Sequence, residues 1–335
     1  MPPEPPTPLF TQTSFTASNV RSLCWRGDEL VDWVGGGRAF ALDGTEQPRQ
    51  VNYAYRFDAA TASPSGRFAV IYETLGTKGL LLDRGRILRE IDRSFYCASS
   101  YEYPVALFDV PDGRTLLAHC PRDYCRIELE DAETGCSLTS SAERKPADFF
   151  HARLAASPGG KRLLSAGWIW HPLDEVAWFD VAQALADPHH LDAGAAFPRP
   201  FNPYLVAESS ACWLDDDCFA VAASAEPGQD EIEEEIEPRL HPSGLAVYDV
   251  ARQTCLRTFQ LDEPAGTLVG LGTRHVLSLY RHPKLIDLAT GQVVHTWTDL
   301  QTGLQISSIM DADNHDRPPP MAFDRTGLRF ALANG

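Results

Sequence analysis

Gly244–Val250, GLAVYDV, passes through Ala251-Arg252-Gln253 into Thr254–Leu261, TCLRTFQL. Two apolar-rich stretches joined by three turn residues read as adjacent antiparallel strands. Just upstream, Leu214-Asp215-Asp216-Asp217 leads into CFAVAAS, another turn running straight into another apolar stretch. That unit recurs along the chain. The turns are Cys24-Trp25-Arg26-Gly27-Asp28 before ELVDW, Ser63-Pro64-Ser65-Gly66 before RFAVIY, Val110-Pro111-Asp112-Gly113 before RTLLAHC and Ser157-Pro158-Gly159-Gly160 before KRLLSAGW. After the copy at Leu214, Leu271-Gly272-Thr273 precedes RHVLSLY and Phe323-Asp324-Arg325-Thr326-Gly327 precedes LRFALA.

Seven copies spaced roughly 40 to 55 residues apart carry the period of a four-stranded sheet repeated as a propeller blade. Third and fourth strands stand at the expected distance in several copies, as in KLIDLATGQVVHTWTD of the sixth, GRAFALDGTEQPRQV of the first and GLLLDRGRILREI of the second. The segments around Tyr248-Asp249 and Ile286-Asp287 resemble the third strand, turn and fourth strand of WD-repeat proteins, these dipeptides standing where that family often has Trp-Asp. The resemblance spans about residues 19 to 335, and the family's Gly-His dipeptide is missing. It implies an all-β, seven-bladed β-propeller of four-stranded antiparallel blades.

The last copy supplies two strands, and Leu9–Phe15, LFTQTSF, alternates apolar and polar residues. An N-terminal strand over Leu9–Phe15 is therefore expected to close the ring and remove an exposed sheet edge. One repeat cannot bury both of its faces, so residues 1–335 are expected to fold as a single unit, with a Pro-rich tail over 1–8. DVAQALADPHHL (Asp180 to Leu191) is the one stretch that reads as a short helix, and the fourth strand of that copy is expected among Asp192 to Val206.

Acidity constrains the partners. Asp and Glu number 46 against 29 Lys and Arg, a formal net charge of −17. Such a chain repels phosphate backbones and anionic lipid, which disfavours direct nucleic-acid or membrane binding. The extreme lies in the insertion 226–243, where DEIEEEIE places Asp230, Glu231, Glu233, Glu234, Glu235 and Glu237 within eight residues. As an ordinary charge run it is a solvated loop; as a binding element it addresses a basic protein. MPPEPPTPLF has no basic residue or apolar core, no run of 18 apolar residues occurs, and the chain is expected to be cytoplasmic and monomeric on its own. The eight cysteines fall mostly within apolar stretches, where a thiol packs as a small hydrophobe.

Aromatic segments offer contact area. Tyr101 and Tyr103 stand in a connection and are candidates to grip a partner, as are Trp168 and Trp170, although Trp168 lies within the strand pattern and reads as interior.

Catalytic patterns are scarce. There is no G-x-S-x-G, H-E-x-x-H or G-x-x-x-x-G-K-[ST], and Gly35-Gly36-Gly37 lacks the helix that a dinucleotide loop requires. His119, Cys120, Cys125 and Cys136 form only a loose zinc-like set, and Asp311–Asp316 lacks the glycine and terminal Glu of a calcium loop. No metal or cofactor is expected.

These observations favour a non-enzymatic protein-binding propeller with a basic partner, one form of which is an inhibitor or immunity-type protein neutralising a toxin. A metal-dependent hydrolase of the lactonase type is the alternative, with His151, Asp215, Asp216, Asp217 and residues 311–316 as its only candidate lining. A scaffold holding several partners is a third reading.

Overall fold

A computed structural model describes residues 10–170, 173–192, 206–223, 240, 243–304, 307–309, 318–324 and 326–334. Each repeat forms a meander in which every strand pairs antiparallel with the next in sequence. The first blade comprises Cys24–Arg26, Glu29–Asp32, Arg38–Ala41 and Glu46–Gln47, and the second Ala59–Ala62, Phe68–Tyr72, Lys78–Asp83 and Arg86–Asp92. The third has three strands, Val105–Asp109, Thr115–His119 and Glu128–Asp131, as has the fourth, Ala155–Ala156, Arg162–Ile169 and Leu173–Asp180. The fifth returns to four with Val206–Trp213, Cys218–Ala223, Gly244–Asp249 and Thr254–Gln260, and the sixth has Leu268–Leu271, His275–Ser278, Lys284–Asp287 and Gln292–Thr296. Met321–Asp324 and Arg329–Leu332 make a two-stranded sheet.

Among the described residues the chain is an all-β propeller with six blades of three or four strands, which corrects the expected seven four-stranded blades. In the fourth blade an α-helix, Val181–Ala186, and a 3-10 turn, Pro188–Leu191, follow the third strand, so the helix read at Asp180 to Leu191 forms. The Asp180 carboxylate caps it by accepting from Gln183 N, and Val181, Ala184 and Leu191 bury against the third and fourth blades. Most of the stretch Asp192 to Val206, where a fourth strand was expected, lies outside the described residues.

Period-2 alternation builds the core. Ala69 and Ile71 face the first blade while Phe68 and Val70 face the third; Val105 and Leu107 face the second blade while Ala106 and Phe108 face the fourth. A strand buried on both faces needs apolar residues at successive positions, and FAVIY, CFAVAA and GLAVYD supply them. Outer strands such as Arg86–Asp92 and Thr254–Gln260 are mostly exposed and carry charges.

The two-stranded sheet completes the circuit. Met321, Phe323 and Phe330 pack on Val269, Leu277 and Leu279 of the sixth blade, while Ala322 and Ala331 join Leu23, Leu30 and Phe40 of the first. The expected closing strand is corrected here: residues 10–17 belong to no strand, and Leu9 lies outside the described residues. Phe10 instead packs its ring on His295 and Trp297, and Phe15 packs on Phe40. Aromatic contacts thus take this segment from the sixth blade to the first without a hydrogen-bonded ladder.

Candidate functional site

Strand polarity gives the ring two faces. The repeat turns lie on one, where Gly27, Gly66, Gly113, Gly160 and Gly272 all adopt left-handed backbone. We call this the turn face. Neighbouring turns interlock there: Asp216 accepts hydrogen bonds from Ser157 Oγ (2.8 Å) and Gly159 N (2.6 Å) and pairs with Lys161 at 3.2 Å. Similarly, Arg329 donates to Asp28 (2.8 Å) and to the Gly27 carbonyl (2.7 Å), joining the two-stranded sheet to the first blade.

Longer connections occupy the opposite, loop face. Residues 93–104 link the second blade to the third, and Arg93 organises them from inside. The residue is 4% exposed, and its guanidinium donates to the carbonyls of Gly76 (2.7 Å), Ala98 (2.6 Å), Tyr101 (3.0 Å) and Glu102 (3.0 Å). It also sits over the rings of Tyr101 at 4.5 Å and Tyr103 at 5.0 Å. Burial pulls the Arg93 guanidinium below its usual value and pushes both phenols up.

This clamp overturns the expected roles of Tyr101 and Tyr103. Both side chains are buried, Tyr103 against Tyr72 and Tyr101 against Phe150 and Trp168, so neither ring is offered to a partner. A second segment covers Tyr101. Residues 307–309 follow the sixth blade, yet Tyr101 bridges Ile309, Glu102 N donates to the Ser308 carbonyl (3.1 Å), and Arg153 donates to the Ser307 carbonyl (2.7 Å). Ser307 Oγ also donates to Asp174 of the fourth blade (2.9 Å). The chain therefore crosses the loop face from one side of the ring to the other.

Beside Tyr101 rises an aromatic column. Phe150 lies between Trp168 (centroids 3.8 Å apart, 7° between planes) and Tyr124 (4.0 Å, 20°). Tyr96 is 5.2 Å from Tyr124, and Trp170 stands edge-on to Phe150 (5.2 Å) and Trp168 (5.4 Å). Phe150 and Trp168 are buried, as expected for Trp168, but Tyr96 is 48% exposed, Trp170 45% and the adjoining Phe95 88%. The column has a core-packed base and an open aromatic rim. Phe95, Tyr96, Tyr124 and Phe150 were not among the expected contacts; the signal available for three of them was two pairs of adjacent aromatics, Phe95-Tyr96 and Phe149-Phe150, in segments outside any apolar strand run.

The acidic candidates Asp230, Glu231, Glu233, Glu234, Glu235 and Glu237 lie outside the described residues. The strands that flank their insertion are described: Cys218–Ala223 ends, and Gly244–Asp249 begins, on the loop face.

Among the described residues named for a hydrolase, His151 and Asp215–Asp217 do not converge. His151 is buried on the loop-face side, its Nδ1 2.8 Å from Ser165 Oγ, and burial lowers its pKa to about 3. Asp215, Asp216 and Asp217 form the repeat turn of the fifth blade on the turn face, where Asp215 and Asp216 bind backbone amides. Residues 311–316 lie outside the described residues. Among the described residues no group of three or more His, Cys, Asp and Glu side chains is placed to hold a metal ion. Cys120 is buried in the core between the third and fourth blades and its thiol is pushed up by that burial. Gly35-Gly36-Gly37 serves the fold: Gly35 N donates to the buried carboxylate of Asp32 (2.8 Å), which also accepts from Ser22 N and Oγ.

No protein-family model matches the chain, and no curated protein sequence matches it. Solved structures share its fold. A chain of the crystal structure of a mitotic checkpoint complex superposes with a TM-score of 0.54 at 11% identity, covering 99% of this chain and 92% of that one. A chain of Kuenenia stuttgartiensis hydrazine synthase superposes at 0.52 with 12% identity, covering 97% and 99%. At such identities the likeness concerns the β-propeller architecture, and an architecture hosts many activities. Among the described residues, no helix is long and apolar enough to cross a membrane.

Proposed function

We propose that this propeller is a non-enzymatic protein-binding module that engages a partner with a basic surface through its loop face. The observation that carries the reading is the aromatic rim of Phe95, Tyr96 and Trp170, three large rings left exposed on the loop face. Large rigid rings give contact area at small entropic cost, which is why they dominate protein interfaces.

Charge supports the nature of the partner. A formal charge of −17 attracts a basic protein from a distance, and the insertion 226–243, rooted on the loop face, holds the densest run of carboxylates in the chain. One specific form is an inhibitor or immunity-type protein that covers the active cleft of a basic toxin or nuclease, where electrostatic steering speeds capture.

Affinity capture with the whole protein, beside a variant carrying Glu231→Gln, Glu233→Gln, Glu234→Gln and Glu235→Gln, tests the proposal. A stoichiometric basic partner retained by the first and lost by the second is expected, with association slowing steeply as salt is added. Absence of any stoichiometric partner, or association indifferent to salt, would overturn it.

A further inference from the structure

The rim of the aromatic column is not merely apolar. Tyr124 donates its hydroxyl to Asp148 Oδ1 at 2.6 Å, which fixes a carboxylate at the edge of the stacked rings, and Asp148 is itself exposed. Cys125, the next residue, is pushed up first by burial and then by three carboxylates, Asp123, Asp148 and Asp192. Asp148 thus sets a carboxylate directly at the edge of the Tyr124 ring. An apolar ring face with negative charge at its edge is suited to a group that is flat and cationic.

Guanidinium is that group. It stacks on aromatic faces, is weakly hydrated for a cation, and can present its edge N–H groups to a carboxylate at the same time. The chain already uses this chemistry internally: Arg329 lies 4.2 Å over Trp25 while pairing with Asp28 and Asp324, and Arg93 lies over Tyr101. In both cases one arginine joins a ring to hydrogen-bond acceptors across a boundary between chain segments. At the column's rim Tyr96, Tyr124, Trp170 and Asp148 supply the rings and the acceptor, and no arginine of this chain occupies that place among the described residues.

We infer that the patch formed by Tyr96, Tyr124, Trp170 and Asp148 seats an arginine side chain of the protein partner, its guanidinium against the rings and its edge toward Asp148. The inference rests on the protein-binding reading above and narrows it to one contact. Lysine fits less well, because a compact, strongly hydrated ammonium gains less from a ring face. The steric requirement is small, since Trp170 and Tyr96 are each about half open to solvent.

The test uses the whole protein labelled at its tryptophan indoles, with Trp170→Phe assigning the Trp170 signal. The probes are acetyl-Gly-Arg-Gly-amide and the same peptide with citrulline, which keeps the shape and loses the charge. The arginine peptide is expected to shift the Trp170 indole resonance saturably and to bind at least about five-fold tighter than the citrulline peptide. Asp148→Asn, at an exposed position that leaves the fold intact, is expected to bring the two peptides within about two-fold of each other. Equal binding of the two peptides to the unaltered protein, or no shift at Trp170 with either, would overturn the inference. If affinity capture still retains a basic partner in that case, the protein-binding reading stands without this contact; if capture also fails, the broader reading falls by its own test.

Discussion

The turn face and the loop face are made from the same repeats, yet they treat a polar or aromatic side chain in different ways. On the turn face short turns are tied to their neighbours, as Asp216 is by Ser157, Gly159 and Lys161, and as Asp28 is by Arg329. On the loop face the connections differ from blade to blade, and side chains that begin in the core continue out to solvent, from Phe150 through Tyr124 to Tyr96 and Trp170. A face whose groups satisfy one another has little left to offer a partner. The exposed rings on the loop face are the reason we propose it as the binding surface.

Ways of breaking that contrast can be ordered by expected size. Phe150→Ala removes the ring stacked between Trp168 and Tyr124 at the buried base of the column and should cost about 3–5 kcal/mol of stability, read by chemical denaturation. Gly160→Ala should cost about 2–4 kcal/mol, because the position is left-handed (φ 66°) and a Cβ there would stand 1.9 Å from the Asp109 carbonyl oxygen of the preceding blade.

Acid should act through the base of the loop face. His151 is neutral and buried, with its pKa lowered to about 3, whereas in the unfolded chain it titrates near the usual 6.5. Its contribution is complete above pH 6.5 and is lost as pH falls toward 3, because the unfolded state takes up the proton first. Stability is expected to drop by about 2 kcal/mol between pH 6.5 and pH 5 on this account, and His151→Gln should flatten that part of the profile.

Two smaller effects sharpen the comparison. Asp216→Ala breaks the tie between adjacent turns and should cost about 1–2 kcal/mol while leaving partner capture unchanged. Trp170→Ala should do the reverse, changing stability by less than about 1 kcal/mol while weakening capture, since the ring is half exposed and at the rim.

Much of the fold could be read before the structure, for reasons visible in particular residues. A left-handed turn admits few residue types, so Gly27, Gly66, Gly113, Gly160 and Gly272 announce the repeat, and strands sandwiched between blades must be apolar at successive positions, as Phe68–Tyr72 is. The strand count was harder. Val181–Ala186 and Pro188–Leu191 follow the third strand of the fourth blade as helical turns, and the alternation of residues 10–15 turns out to serve ring packing by Phe10 and Phe15 rather than a strand.

The site was less legible still. Tyr101 and Tyr103 look like exposed loop aromatics until Arg93 is seen to hold the segment inward and residues 307–309 to cover it from across the ring. Neither influence leaves a local pattern. The column likewise joins Tyr96, Tyr124, Phe150 and Trp170, which lie in four separate connections and meet only in the folded ring.

Hydrogen exchange on the complex with the captured partner, compared with the free protein, tests the central claim most directly. Protection concentrated at residues 95–103, 121–125 and 168–170, with the turns at 27–28, 64–66, 111–113, 158–160 and 215–217 unchanged, is the predicted result. Protection at those turns with the loop face unaffected would contradict the account, because the partner would then sit on the face that the repeats have already closed.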